Sequence, residues 1–450
     1  MAFSGNWQSW VLAILIGGGL SAIHVGVVGR GAQARAYGDF LEVHSLIGAR
    51  YVGEISREAL ARRAIDGMVG ALDPYSRYFD ADEAKDYLDD TRGSFGGLGM
   101  FVALEGDQVS VIAPLAGNPA ARAGLLPGDI VLRIDGEDYS FTTIGEALKV
   151  LKGEPGSKIR LELQTPGVEG SREVTIERAI IAVESVRGTR MLESKARIGT
   201  FKLLAFQQDT RKEALRAISD LVKVGARAVI IDLRSNPGGL LDSAARLADA
   251  LLPPGVDIVS TKGRDEEPRV IRSEQPMLYP GLKIAVLIDE GSASASEILA
   301  GALRDNGAAL LVGARSFGKG SVQTLIQMRG GETLLKLTTS YYYTPSGRRI
   351  HRAEGASPDD PWGLLPDIEI EQSPEEKRRL LEQQSRDYLA ELKVAQPEGA
   401  PATPERVVDR ALMKAVEHLE AVVEGRAALI PERAKPEQTG AGGDDAGSRD

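Results

Sequence analysis

The stretch Ala228-Val229-Ile230-Ile231-Asp232-Leu233-Arg234-Ser235-Asn236-Pro237-Gly238-Gly239 decides the fold. Its first six residues are apolar except for one acid, and neither face of a two-residue period is polar. That is the pattern of a strand buried on both sides. Pro-Gly-Gly then interrupts the chain, and apolar residues resume at helical spacing from Leu240 to Leu252. The same alternation continues outward. Ile284 to Ile288 reads as a second buried strand, Glu297 to Arg304 as a helix, and Leu310-Leu311-Val312 as a third strand. Such β-α-β-α-β order predicts a largely parallel, helix-covered sheet over about residues 195–345.

The turns of this sheet carry the candidate chemistry. Gly291-Ser292-Ala293-Ser294-Ala295-Ser296-Glu297 joins a strand to a helix, where a hydroxyl can project over the sheet edge and helix amides can polarise an oxyanion. Ser294-x-x-Glu297 equally fits a helix capping box. Lys319 stands in Ser316-Phe317-Gly318-Lys319-Gly320-Ser321, where flanking glycines permit close packing and partial burial of an ammonium. A surface lysine in a turn is the plain alternative. The Pro237-Gly238-Gly239 turn can aim bare N–H groups at a ligand, or simply connect strand to helix. Only four histidines exist, and His351, flanked by arginines, is a poor candidate base. Lysine is the remaining plausible base for a serine nucleophile.

Upstream, residues 93–180 form a glycine-rich module with short strands at Val109 to Ile112, Ile130 to Ile134 and Ile159 to Leu163, and a short helix at Ala147 to Leu151. Gly96-Gly97-Leu98-Gly99-Met100 opens it. Consecutive bare amides beside an apolar strand can hold a carboxylate while a peptide pairs with the strand edge; the alternative is an ordinary turn. Residues 37–92 read as three helical stretches, and residues 374–425 as two joined by a proline-rich linker. Their apolar stripes suit subunit pairing or packing within the chain.

Bulk properties exclude several classes. The 450 residues carry a net charge of −10, which argues against nucleic acid as the main partner. The absence of cysteine rules out disulfides, thiolate metal sites and a cysteine nucleophile.

Four ordered segments together resemble the C-terminal processing peptidases, also called tail-specific or carboxyl-terminal proteases. Asp232 to Gly239 is similar to their DLRxNPGG segment, Gly291 to Ile298 to GSASASEI, Phe317 to Gln323 to FGKGxVQ, and Tyr343 to Arg348 to YxTPSGR. The resemblance spans about residues 40–373. It implies a crotonase-like α/β core with an inserted PDZ domain and helical ends. It also implies Ser294 as nucleophile, Lys319 as general base and Gln323 as the residue that orients the lysine. The oxyanion donors would be the amide of Ala295 and that of Gly238 or Gly239. Gly97, Leu98, Gly99 and Met100, with Gly124 to Asp129 further on, resemble the tail-binding PDZ element. No metal or cofactor is implied. Two departures stand out: Asp73-Pro74-Tyr75-Ser76 where the family often has DPHS, and a longer stretch from Arg352 to Leu365.

The expected division is a signal peptide or anchor at 1–36, helical residues 37–92, a PDZ domain at 93–182, a protease core at 183–373, helical residues 374–430 and a disordered tail at 431–450. The expected function is a serine endopeptidase cutting proteins near their C-termini. A catalytically silent PDZ scaffold is the alternative. Expected partners are substrates with free C-termini, and a homo-oligomer or adaptor. Trp10 to Val28 is uncharged and apolar, and Ala34-Arg35-Ala36 has signal-peptidase spacing. No Lys or Arg precedes the run, while Arg30 and Arg35 follow it. The expected location is the cell envelope, periplasmic or membrane-anchored.

Overall fold

The computed structural model describes residues 35–264, 267–357, 359–391 and 406–430. The apolar run at Trp10 to Val28, the linker around Pro397 to Pro404 and the tail from 431 lie outside these. No described helix is long and apolar enough to cross a membrane. The chain forms two compact units, one of residues up to Phe79 with Leu325–Leu337, the other of Asp80–Thr324 with Thr338 onward.

In the smaller unit a helix over 35–50 precedes the helix Arg57–Gly70, whose N-cap Ser56 accepts the Ala59 N–H at 3.0 Å. The helical periodicity ends at Asp73-Pro74. Asp73 Oδ1 accepts the N–H groups of Tyr75 and Ser76, turning the chain into a short strand, Arg77–Phe79. The sequence shows no periodicity for this strand. It pairs antiparallel with residues 334–336.

In the larger unit the glycine-rich module is a sheet in the order Met100–Glu105, Gln108–Pro114, Ile130–Ile134, Lys158–Gln164, Arg172–Glu177. Met100–Glu105 is therefore an edge strand. The helix Ile144–Leu151 starts at Thr143 with a capping box to Glu146 and buries Ala147 and Leu151 against Val111, Leu161 and Leu163.

The second sheet runs Val186–Met191, Ile198–Leu203, Ala228–Asp232, Lys283–Ile288, Ala309–Gly313, Ile368–Glu369. All neighbours are parallel except the first pair. Side-chain alternation explains the continuous apolar run. Val229 and Ile231 face the helices Thr210–Lys223, Leu241–Leu251 and Ala295–Asp305, whereas Ile230 faces Ala415 and Leu419 of the helix Arg410–Val423. The C-terminal helix thus packs within the chain and covers one face of the sheet. The other C-terminal helix, Pro374–Glu391, meets the edge strand: Tyr388 and Phe101 rings contact edge-on at 5.9 Å, with the Arg187 guanidinium 4.0 Å from the Tyr388 ring centre.

Candidate active site

Three turns converge at the C-terminal ends of the parallel strands. The first follows Ala228–Asp232. Asn236 is fully buried, and its side chain organises the turn: Nδ2 donates to the Leu203 carbonyl at 2.7 Å, and Oδ1 accepts the Gly238 N–H at 2.9 Å. Its backbone carbonyl accepts the Ala293 N–H and the Ser296 hydroxyl, each at 3.0 Å. Gly238 has φ +98, and a Cβ there would stand 2.8 Å from Ser294 Cβ and 2.9 Å from Ala295 N. Only glycine allows this approach.

The second turn separates the three serines by role. Ser292 Oγ donates to the Leu233 carbonyl at 2.8 Å, and Ser296 Oγ to Asn236; both serines are fully buried. Ser294 is half-buried and differs in backbone as well, with φ +56 and ψ −114. A non-glycine residue held there costs about 1–3 kcal/mol, a strain typical of functional turns. Ser294 is also the N-cap of Ala295–Asp305, so the capping and nucleophile readings coincide on one residue. The Ala295 amide is among the orphan donors of the first helical turn.

The third turn carries Lys319. A Cβ at Gly320 would lie 2.5 Å from His351 N, and one at Gly318 would lie 3.0 Å from Trp362 and from Arg352 Cβ. The flanking glycines therefore serve close packing, as their spacing suggests, and Lys319 is half-buried. Arg352 and Trp362, at the ends of the long Arg352 to Leu365 stretch, supply two of these contacts.

Glu297 joins the second and third turns. Its buried carboxylate accepts five hydrogen bonds. Oε2 takes the N–H of Ser294 at 2.8 Å, the N–H of Lys319 at 2.9 Å and the Tyr342 hydroxyl at 3.3 Å. Oε1 takes the Ser316 hydroxyl at 2.5 Å and the Gly318 N–H at 2.8 Å. Burial raises its carboxyl above the ordinary range, and the donors only partly offset this. The sequence pattern shows Glu297 only as a capping partner, so its hold on the lysine turn is the residue role that sequence reasoning misses. Gln323 Nε2 donates to Ser321 at 3.0 Å and Thr338 at 3.1 Å.

At the PDZ-like loop, Gly99 has φ +70, and a Cβ there would meet Asn118 Cβ at 2.4 Å. The carbonyls of Leu98 and Gly99 accept the N–H groups of Ala120 and Leu115. Among the described residues, the amides of Leu98 and Gly99 have no acceptor. Met100 begins the open edge strand beside them.

A strained serine at a helix mouth, bordered by a glycine turn and joined through Glu297 to a lysine turn, fits the class of serine-type hydrolases on an α/β sheet. Comparison with known proteins makes this specific. Residues 197–370 match the peptidase family S41 model, 111–165 a PDZ domain and 31–83 the N-terminal domain of the activating protease CtpB. A carboxy-terminal-processing protease of Bartonella bacilliformis is 40% identical over 77% of this chain and 76% of its own. A Staphylococcus aureus protein described as a CtpA-like serine protease is 35% identical over 70% of this chain and 63% of its own length. The solved photosystem II D1 C-terminal processing protease is 26% identical, covering 74% of this chain and 92% of its own, with a TM-score of 0.44. The chain belongs to peptidase family S41, the C-terminal processing peptidases with a PDZ domain, and is a serine-type peptidase.

Proposed function

We propose that this peptidase cleaves proteins near their C-termini through an acyl-enzyme on Ser294, with Lys319 as general base and the PDZ module as reader of the substrate tail. The observation that supports the catalytic pair most directly is the shared Glu297 Oε2, which accepts the backbone N–H of both residues. Lys319 Nζ takes the Ser294 proton as Oγ attacks the scissile carbonyl. The C–N bond then breaks, and the lysine returns the proton to the leaving amine. Water repeats the sequence to release the acid.

Ala295 and Gly239 supply the oxyanion amides. Gly238 is the weaker choice because its N–H is donated to Asn236, whereas the Gly239 N–H has no acceptor among the described residues. Gln323 helps hold the lysine turn from the strand that follows it. The open amides of Leu98 and Gly99 receive the terminal carboxylate, and the Met100–Glu105 edge pairs with the tail. The apolar N-terminal run Trp10 to Val28 favours work in the cell envelope. The division at residues 92, 182 and 373 belongs to the same reading.

Ser294→Ala tests the assignment. Purified variant should show no cleavage of an unstructured peptide with a free C-terminus, while its unfolding midpoint stays near wild type. Undiminished cleavage by pure variant overturns the nucleophile. Intact mass after a fluorophosphonate should place a single adduct on wild type and none on the variant.

A further inference from the structure

Asp409 lies 175 positions after Arg234, beyond the part of the chain that matches the peptidase model. Its carboxylate does two things. Oδ1 accepts the Leu412 N–H at 3.1 Å, capping the helix Arg410–Val423. The same carboxylate receives Arg234 in a two-pronged bridge, Nη1 to Oδ1 at 2.8 Å and Nη2 to Oδ2 at 2.7 Å. Arg234 grips Asp232 as well, through Nε at 2.9 Å and Nη2 at 2.7 Å. Arg234 and Asp232 are almost fully buried. Such forked charge pairs fix direction as well as distance.

The position of this bridge matters. Arg234 immediately precedes Ser235, which has φ +58 and donates its N–H to Asp289 Oδ1 at 2.8 Å. Asn236 follows and binds Ala293 and Ser296 on either side of the nucleophile. A displaced Arg234 therefore moves the turn that lies against Ser294. A helix cap alone needs neither the second oxygen nor an arginine.

We propose that Asp409 is a positioning residue for proteolysis: through Arg234 it fixes the turn Ser235 to Gly239 against Ser294. The C-terminal helix is then a working part of the active site as well as a cover for the sheet. The proposal rests on the oxyanion role given to this turn above.

The test compares Asp409→Asn with Glu420→Gln in the full chain. Asparagine caps helices as well as aspartate does, yet it presents an amide nitrogen to a guanidinium and loses the charge. Glu420 anchors the same helix elsewhere, accepting the Ser194 hydroxyl at 2.7 Å. Asp409→Asn should lower kcat by about 10- to 100-fold, the scale of a misplaced reacting group, and leave KM within about threefold. Its unfolding midpoint should stay close to that of Glu420→Gln, whose kcat should match wild type. A cavity of about 520 Å³ borders Arg234 and Asp409, so added formate should restore part of the kcat of Asp409→Ala. A kcat for Asp409→Asn within about twofold of wild type overturns the proposal. So does a loss that tracks the folded fraction with no rescue by formate. Ser294→Ala run alongside separates the two failures. If that variant still cleaves, the site assignment is wrong; if it is inactive while Asp409→Asn is normal, only the role of Asp409 falls.

Discussion

Two glycine turns of this protein solve opposite problems. The turn Asn236 to Gly239 is closed except at one amide: Asn236 uses both ends of its side chain and its carbonyl within the protein, Gly238 lies against Ala293, Ser294 and Ala295, and the Gly239 N–H alone has no acceptor among the described residues. The loop Gly97 to Met100 is open: its carbonyls are engaged, but two successive amides have no acceptor among the described residues, and the strand that follows is an edge. With the oxyanion role proposed for it, the first turn must have its geometry before substrate arrives. With the tail-reading role proposed for it, the second is completed by substrate.

The comparison breaks most severely if Glu297 can be removed without consequence. Glu297→Ala removes the acceptor of four donors and leaves a fifth, the Tyr342 hydroxyl, with the Ser294 carbonyl alone. At about 1–3 kcal/mol for each buried unsatisfied group, stability should fall by more than about 3 kcal/mol in urea titration. Cleavage should fall by at least about 100-fold. Gly99→Ala probes the open loop. It should raise KM about tenfold for a tail with a free carboxylate, at unchanged kcat, because the Cβ collides with Asn118. A C-terminally amidated peptide should show no such difference between variant and wild type. If both substrates lose equally, the loop does not read the carboxylate.

A smaller effect sharpens the view of the closed turn. Ser294→Gly removes a side chain from a left-handed backbone position. It should gain about 1 kcal/mol of stability while abolishing cleavage; a loss of stability would mean the serine is not strained. The smallest effect concerns pH. Burial alone would raise the Asp232 carboxyl, but the charge and hydrogen bonds of Arg234, with Lys202 nearby, hold it below its ordinary range. A depressed carboxylate stabilises the folded state above its unfolded pKa of about 3.9 and loses that contribution as pH falls through the folded value. Asp232→Asn should therefore reduce the acid slope of stability below about pH 4, by at most about 1.4 kcal/mol per pH unit. An unchanged slope would mean Asp232 titrates normally.

The sheet was legible because both faces are covered, which makes strands such as Ala228–Asp232 continuously apolar. Val186–Met191 was not, since an edge strand reading Val-Arg-Gly-Thr-Arg-Met has no apolar alternation. Ser294 and Lys319 stood out through local glycine and serine patterns. Glu297 hid inside a capping box that is real but incomplete as an account of it. Asp409 reads locally only as a helix N-cap; its pairing with Arg234 has no local signal, because the packing of the C-terminal helix brings the two together.

The division of labour among Ser292, Ser294 and Ser296 has a practical meaning for chemistry done to this protein. Three hydroxyls within five residues present a reagent with one choice, because the outer two are committed donors inside the fold. Selectivity toward the middle position is thus a property of the folded chain, and unfolding should make the three chemically alike.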